Sequence, residues 1–281
     1  MTELVFDVGG TKTRFALVEN GVLGQIHQLP TDTSTAGFSR MLQHMHELLG
    51  GARLHAVAGG LAGQLEGQPG RLILAANIPH WLGIPVLERM EKVFRCPIYI
   101  ENDVVMGGLG ESHHGLGSKT GVMAYFTVST GVNGVRLVNG EVDGSISRFE
   151  IGHQVIAGVD GRVLSLEYLT GGASFEARRG RSPREVRDRA VWAVEERNLA
   201  LGMYNTILFW SPDVIVFNGS MMRDIDLQGV QRELDKMSLV MPKWPQLEYS
   251  KLGDTAGIYG SLATLAKKRG VRASKTSVRT G

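Results

Sequence analysis

Leu4-Val5-Phe6-Asp7-Val8-Gly9-Gly10-Thr11-Lys12, continuing through Phe15-Ala16-Leu17-Val18 to Asn20-Gly21, reads as a strand, a glycine-rich turn, a second strand and a tight reversal. The same order returns at Tyr125-Phe126-Thr127-Val128-Ser129-Thr130-Gly131, which runs through Val135-Arg136-Leu137-Val138 to Asn139-Gly140. Thr11 and Thr130 stand at the same distance from their reversals, which indicates an internal duplication. Asn-Gly specifies a type I′ turn, so each copy is expected to be a hairpin followed by a third strand. Glycine in the preceding turn lets backbone N–H groups converge on an anion. Two such loops suit a polyphosphate held between two similar lobes, and point to an enzyme that uses a nucleotide.

Composition narrows the class. A chain of 281 residues exceeds the usual single core and favours two lobes. Its 43% hydrophobic and 21% charged residues are those of an ordinary soluble protein. With no bilayer-length apolar run and no basic leader ahead of the first strand, the expected location is the cytoplasm, with no membrane partner. The single cysteine, Cys96, excludes an intrachain disulfide and a multi-cysteine metal cluster, and reads as an apolar packer before Ile98-Tyr99-Ile100. The formal charge of +2 is carried by the C-terminus: Lys267, Lys268, Arg269, Arg272, Lys275 and Arg279 follow the last acid, Asp254. The rest of the chain is net acidic, and 269–281 reads as a basic, disordered tail rather than a nucleic-acid arm. Arg178-Arg179-Gly180-Arg181 with Arg184 is interleaved with Glu176, Glu185 and Asp188 and reads as a charged helix entrance.

The first lobe is expected over 1–115, completed by a C-terminal helix at 254–268, and the second over 116–253. Within the first, helices are expected at 38–49 and 84–94, and strands at 54–58 and 97–100, with a Gly-rich loop after 58. In the second, Ser182, Pro183 and Glu185 read as the N-cap, first turn and capping box of a long helix. Its apolar face would be Val186, Ala190, Val194, Leu201, Tyr204 and Leu208, and Pro212 would end it. A strand at 214–217 runs into Asn218-Gly219-Ser220. Strands alternating with helices, plus hairpins, indicate an α/β fold with mixed sheets.

The ordered set Asp7-Val8-Gly9-Gly10-Thr11-Lys12, Glu101-Asn102-Asp103, Ser129-Thr130-Gly131, Glu150-Ile151-Gly152-His153 and Asn218-Gly219-Ser220 resembles the signature of the ROK family (repressor, open reading frame, kinase). The resemblance covers nearly the whole chain apart from the tail. It implies an actin-like, ribonuclease H-like duplicated fold, two lobes with a cleft between them, and a small-molecule sugar as ligand, with ATP and Mg²⁺ as cofactors and a homodimer as the assembly. Asp7, Gly9, Gly10, Thr11 and Lys12 resemble the first phosphate loop, with Asp7 near Mg²⁺ through water. Thr130 and Gly131 resemble the second loop, although Asn133-Gly134-Val135 replaces a more glycine-rich run. Asn218, Gly219, Ser220 and Gly257 resemble the adenosine site. Asn77, Asn102, Asp103, Glu150, His153 and Glu167 resemble the sugar-binding residues, with Asp103 the catalytic base. Gly60-Leu61-Ala62-Gly63 stands where the family often has Pro-Gly. The family's structural zinc is a larger departure. Gly158, Asp160 and Ser165 stand in place of its three cysteines, and one histidine with scattered oxygens cannot replace a Cys₃His set, so no zinc is expected.

Asp103 follows the strand Ile98-Tyr99-Ile100 at its C-terminal end, where α/β sheets expose ligand-binding side chains. Read alone it is a helix N-cap; read with the other motifs it is the base. Gly9-Gly10 fits neither a Walker A loop nor a dinucleotide motif. His153 alone reads as structural, and between Glu150 and Glu167 as part of a polar sugar floor. His113-His114 reads as surface. The expected activity is ATP-dependent phosphorylation of a primary hydroxyl on a hexose or N-acetylhexosamine, glucokinase-like in preference. The alternative is a non-catalytic sugar-sensing regulator, which needs a helix-turn-helix; the early first strand is expected to leave no room for one. A binding-only relic is a third reading. The sugar stays open, since the Gly60–Gly63 loop and His153 would decide it.

Overall fold

A computed structural model of the chain describes residues 1–67, 70–116, 121–144, 149–159, 162–237 and 243–277. In chain order it holds β1 (Thr2–Val8), β2 (Lys12–Glu19), β3 (Val22–Leu23), β4 (His27–Pro30), α1 (Gly37–Leu49) and β5 (Leu54–Leu61). Next come β6 (Gln64–Glu66), β7 (Arg71–Leu74), α2 (Val86–Phe94), β8 (Ile98–Asn102) and α3 (Asp103–His114). Then follow β9 (Val122–Val128), β10 (Val132–Val138), β11 (Glu141–Val142), β12 (Val155–Val159), β13 (Arg162–Ser165), α4 (Leu166–Thr170) and α5 (Gly172–Arg179). The chain closes with α6 (Arg189–Trp210), β14 (Val214–Asn218), α7 (Leu227–Leu234), β15 (Gln246–Tyr249) and α8 (Ala256–Ser277). It forms two compact units, Met1–His114 with Thr255–Gly281, and Gly115–Asp254.

The first unit is built on a sheet ordered β3-β2-β1-β5-β8, with β4 also paired to β2. β1 and β2 are antiparallel, whereas β1, β5 and β8 run parallel. Parallel strands are covered on both faces, and β1 accordingly buries Leu4, Val5, Phe6 and Val8. One face packs against α1 and α2 through Phe6, Phe38, Met45, Trp81 and Met90. α1 forms because Phe38, Met41, Leu42, Met45 and Leu49 recur at three- and four-residue spacing on one stripe, and it stops at Gly50, which turns left-handed at φ 54°. The other face receives Ile258, Leu262 and Leu265 of α8 against Val5, Ala16, Val18 and Ala58. Arg269 pairs with the buried Glu3 and ties the far end of α8 to β1.

The second unit repeats this plan, in the order β11-β10-β9-β14-β15. Asn20-Gly21 and Asn139-Gly140 are two-residue reversals with φ of 52° and 85°, and 51° and 84°, as a type I′ turn requires. Each is followed by the expected short third strand, paired Glu19↔Val22 in one copy and Val138↔Glu141 in the other. The copies are not identical. Four residues separate the pair Val8↔Thr13, but three separate Val128↔Val132, so the second loop is one residue shorter. The core here gathers Phe126, Leu166, Phe175, Trp192, Met203, Ile207 and Phe217.

Several local expectations are corrected. The capping box at Ser182 and Glu185 exists, but it opens a single 3₁₀ turn over Pro183–Glu185. The chain then extends at Val186, and α6 starts at Arg189 with Asp188 accepting from the Ala190 N–H. The buried face of α6 is Trp192, Glu195, Glu196, Leu199, Ala200, Met203 and Ile207, while Val194 and Leu208 are exposed. Arg178 and Arg179 are the last turn of α5 rather than a helix entrance, and both face the buried Glu195. β5 runs through Gly59 and Gly60 instead of ending before them, and glycine stands at 59 because a Cβ there would lie 2.2 Å from the Phe6 ring. α8 extends beyond residue 268 to Ser277, and the end of the basic tail, 278–281, lies outside the described residues.

Candidate active site

The parallel strands of the first unit set their C-terminal ends side by side. Asp7 of β1 is in register with Gly60 of β5, and Gly60 with Glu101 of β8. One residue further, Val8 aligns with Leu61 and Leu61 with Asn102. Gly60 is the spacer that lets two acids approach: a Cβ there would lie 3.0 Å from Asp103 Cα and 3.1 Å from Asp7 Oδ1. The Asp7 carboxylate rests against Gly257 in the first turn of α8, where a Cβ would come within 2.5 Å of its Cγ. Arg14, nearly buried, holds Nη1 3.8 Å from Asp7 Oδ2. Asp103 is the first residue of α3, but the cap belongs to its neighbour. Asn102 Oδ1 accepts from the Val104 N–H at 3.0 Å, and Asn102 Nδ2 donates to the Gly63 carbonyl at 3.1 Å. The cap reading of Asp103 is thereby replaced by a cap at Asn102.

The first loop is braced from inside. Gly9 N–H donates to the Lys12 carbonyl at 3.0 Å, the Thr31 hydroxyl donates to the Gly9 carbonyl at 2.8 Å, and Thr31 N–H donates to the Thr11 carbonyl at 2.9 Å. Three carbonyl oxygens are thus engaged within the protein, which keeps the negative ends of those peptides off an anion. Asn77 lies against this loop, since a Cβ at Gly10 would meet its Cβ at 2.5 Å.

In the second unit the matching loop is held by the start of α5. Gly172 N–H donates to the Ser129 carbonyl at 2.7 Å and Ala173 N–H to the Thr130 carbonyl at 3.0 Å. β14 ends at the turn Asn218-Gly219-Ser220. Asn218 Oδ1 accepts from Gly219 N–H at 2.7 Å, and Nδ2 donates to the Tyr125 hydroxyl at 2.8 Å and the Gly253 carbonyl at 2.9 Å. Gly219 is required twice over: its φ is 107°, and a Cβ would lie 2.3 Å from the Val128 carbonyl oxygen. Ser220 Oγ is 3.2 Å from Ser129 Oγ, which links this turn to the loop.

Acidic groups gather on the same side of the loop. Glu167, in the first turn of α4, accepts from Val132 N–H at 2.8 Å, and Asn133 Nδ2 donates to Glu150 Oε2 at 3.2 Å. Partial desolvation raises the Glu150 carboxyl although the residue stays exposed; His153 opposes this and the nearby Glu167 adds to it. His153 ends the short turn Ile151–His153 that begins after Glu150.

Among the described residues no group of three or more His, Cys, Asp or Glu side chains converges in a way that could hold a metal ion. Ser165, at one of the family's cysteine positions, instead caps α4 by accepting from the Tyr168 N–H at 3.1 Å. Asp160 lies outside the described residues. A single carboxylate such as Asp7 does fit magnesium, which takes one or two carboxylates and fills its shell with phosphate oxygens and water. Each braced loop by itself suits a phosphate group.

The expected site residues therefore fall into two sets. Asp7, Gly9, Gly10, Thr11, Lys12, Asn77, Asn102, Asp103 and Gly257 belong to the first unit, and Thr130, Gly131, Glu150, His153, Glu167, Asn218, Gly219 and Ser220 to the second. Gly257, grouped by sequence with the Asn218 turn, packs on Asp7. Arg14, Thr31 and Asn133 were not legible as site residues. Arg14 lies opposite Asp7 in the β1–β2 register, the one signal that a hairpin alignment carries.

The ROK family profile matches residues 4–269. An uncharacterized protein of Clostridium perfringens is 27% identical, over 92% of this chain and 95% of that protein. A fructokinase of Streptococcus mutans is also 27% identical, but over 55% of this chain and 57% of the fructokinase, so the match spans little more than half of each. A xylose repressor of Caldicellulosiruptor bescii is 22% identical over 73% of this chain and 60% of the repressor. Among solved structures, a ROK hexokinase from Thermus thermophilus superposes with a TM-score of 0.75 at 23% identity, covering 96% of this chain and all of that one (100%). A ROK family glucokinase from Streptomyces griseus, solved in complex with glucose and AMPPNP, gives 0.76 at 19% identity over 95% and 100% of the two chains. The fold is that of these kinases. No helix among the described residues is long and apolar enough to cross a membrane.

Proposed function

The chain belongs to the ROK family, and from that premise we propose that it is a sugar kinase that transfers the γ-phosphoryl group of ATP to a primary hydroxyl of a hexose or N-acetylhexosamine. The observation that carries this reading is Asp103. It follows a parallel strand and lies beside Asp7 across Gly60, while Asn102 supplies a cap to α3. A helix that needed only a cap would not need this second carboxylate.

In the proposed reaction Asp103 accepts the proton of the sugar hydroxyl as its oxygen bonds to the γ-phosphorus. The bond from that phosphorus to the bridging oxygen breaks, and ADP leaves with the electron pair. Gly9, Gly10, Thr11, Lys12, Thr130 and Gly131 bind the phosphates through loops already held in shape, so little ordering remains for the moment of transfer. Asn218, Gly219 and Ser220 form the turn for the nucleoside. Asn77, Asn102, Glu150, His153 and Glu167 orient the sugar hydroxyls. Asp7 would hold magnesium through water, and the ion would supply charge neutralisation at the phosphates.

A coupled ADP-release assay over glucose, fructose, mannose, N-acetylglucosamine and N-acetylmannosamine tests this, fructose being included because fructokinases are among the relatives. Sugar-dependent ADP release with at least one of them is expected. Sugar binding by calorimetry without any turnover would refute the kinase reading and favour a sugar-sensing regulator, as the similarity to a xylose repressor would then suggest.

A further inference from the structure

The residue Glu167 sits at a junction that the sugar-binding role does not explain. Its Oε2 accepts from the Val132 N–H at 2.8 Å, at the point where the second loop re-enters β10. The same oxygen would lie 2.6 Å from a Cβ at Gly131, so the carboxylate is packed directly on the loop backbone. Its own carbonyl accepts from Gly171 N–H at 2.8 Å, and the next two amides, of Gly172 and Ala173, bind the carbonyls of Ser129 and Thr130 at 2.7 and 3.0 Å. One turn of chain therefore grips the loop from both sides: by its side chain at the exit and by its following amides at the crown. The neighbouring Asn133 is anchored separately, with Oδ1 accepting from Gly134 N–H at 2.8 Å and Nδ2 reaching Glu150.

We infer that Glu167 is a positioning residue for the nucleotide: its carboxylate fixes the backbone of Ser129-Thr130-Gly131-Val132 in the shape that receives phosphate, independently of any sugar. The inference rests on the kinase reading. Its physical basis is that a carboxylate bonded to a backbone N–H forms one of the stronger hydrogen bonds available to a loop. An acidic side chain would otherwise be a poor neighbour for a polyphosphate, since like charges repel. The charge therefore strengthens the bond to Val132 and repels the phosphates, two effects that offset, which leaves reach and an acceptor oxygen to decide the role.

Two conservative variants separate these properties. Glu167→Gln keeps an acceptor oxygen at the same reach and removes the charge. Glu167→Asp keeps the charge and withdraws the oxygen by one methylene. ADP with Mg²⁺ is titrated calorimetrically into each protein with no sugar present, and exchange of the Val132 amide is followed by NMR. The expected result is ADP affinity within about threefold of wild type for Glu167→Gln and weakened about tenfold or more for Glu167→Asp, the scale of a lost hydrogen bond to a charged group. Val132 protection should persist in the first and fall in the second. Wild-type affinity in Glu167→Asp, or equal weakening in both variants, would overturn the inference while leaving the kinase reading intact. Wild-type protein that bound no ADP would overturn both.

Discussion

Replacing Asp103 by Asn asks whether this carboxylate is chemistry or architecture, and the geometry predicts very different sizes for the two. The α3 cap is the Asn102 Oδ1 to Val104 N–H bond of 3.0 Å, which the substitution leaves in place. The structural loss is then the interaction of one negative charge with the start of a helix, about 0.3–1 kcal/mol. For a chain of this size that lowers the melting temperature by about 1–4 °C. The chemical loss is a general base. It should reduce kcat about 10²–10⁴-fold, equivalent to about 2.7–5.5 kcal/mol of transition-state stabilisation. The assay is kcat from coupled ADP release at saturating sugar and ATP, with sugar affinity measured by calorimetry and stability by thermal melting. Sugar affinity should change little, because the amide still contacts a hydroxyl. A variant retaining more than about a tenth of the wild-type kcat would refute the role of Asp103 as base, given the size expected for that effect.

Gly219→Ala should destabilise the protein by about 2 kcal/mol or more, because the new methyl meets the Val128 carbonyl oxygen at 2.3 Å and the backbone stays at φ 107°; an unchanged thermal melt would contradict this. Glu150→Gln should raise stability at pH 7.5. Partial desolvation lifts the folded-state pKa of Glu150 above its ordinary 4.5, so the native protein binds more protons than the unfolded chain between those values and wild-type stability falls as pH rises through them. The gain should shrink as pH is lowered towards 4.5, and melts showing the same gain at both ends would refute the assignment. Purified protein should carry no stoichiometric zinc, and chelators should leave its melting temperature unchanged, since Ser165 caps α4 where a cysteine ligand would be needed; near-equimolar zinc by elemental analysis would overturn this.

What the sequence made legible was local. Asn-Gly reversals, apolar strand runs and the stripe of α1 each depend on residues close in the chain, and all of them appear in the fold. What it concealed depends on contacts distant in sequence. Gly59 and Gly60 look like a loop because glycine usually marks one, yet they pair with β1 and β8 inside β5 and are glycine because Phe6, Asp7 and Asp103 occupy the space side chains would need. The start of α6 was hidden by two successive cap signals, Ser182 and Asp188, of which the second begins the helix. Its buried face was hidden because it includes two charged residues, Glu195 and Glu196. Arg178 and Arg179 reach the first and Arg189 the second, so the cost of burial is offset in part by partners that no helical periodicity reveals, and burial still raises the Glu195 carboxyl.

The sheet registers explain why the duplicated hairpins differ in chemistry. Asp7 of β1 faces Gly60 of β5, and the equivalent pair in the second unit is Thr127 of β9 with Asn218 of β14. β1 and β9 share the same alternation of buried and half-buried residues, so the backbone plan is common and the difference lies in the side chains. A glycine at the first position leaves room for the Asp7 carboxylate and the Asp103 backbone; an asparagine at the second spends its amide on Tyr125 and Gly253. The loops diverge accordingly. The longer one is braced by Thr31 from β4's end, and the shorter one is held by Glu167 and the start of α5. One hairpin thus carries Asp7 and Asp103 beside its loop, where the proposed reaction would use them, and the other a turn and a packed carboxylate that shape its backbone. The two units share the strand plan, and only the first places two aspartates around a glycine, Gly60 of β5.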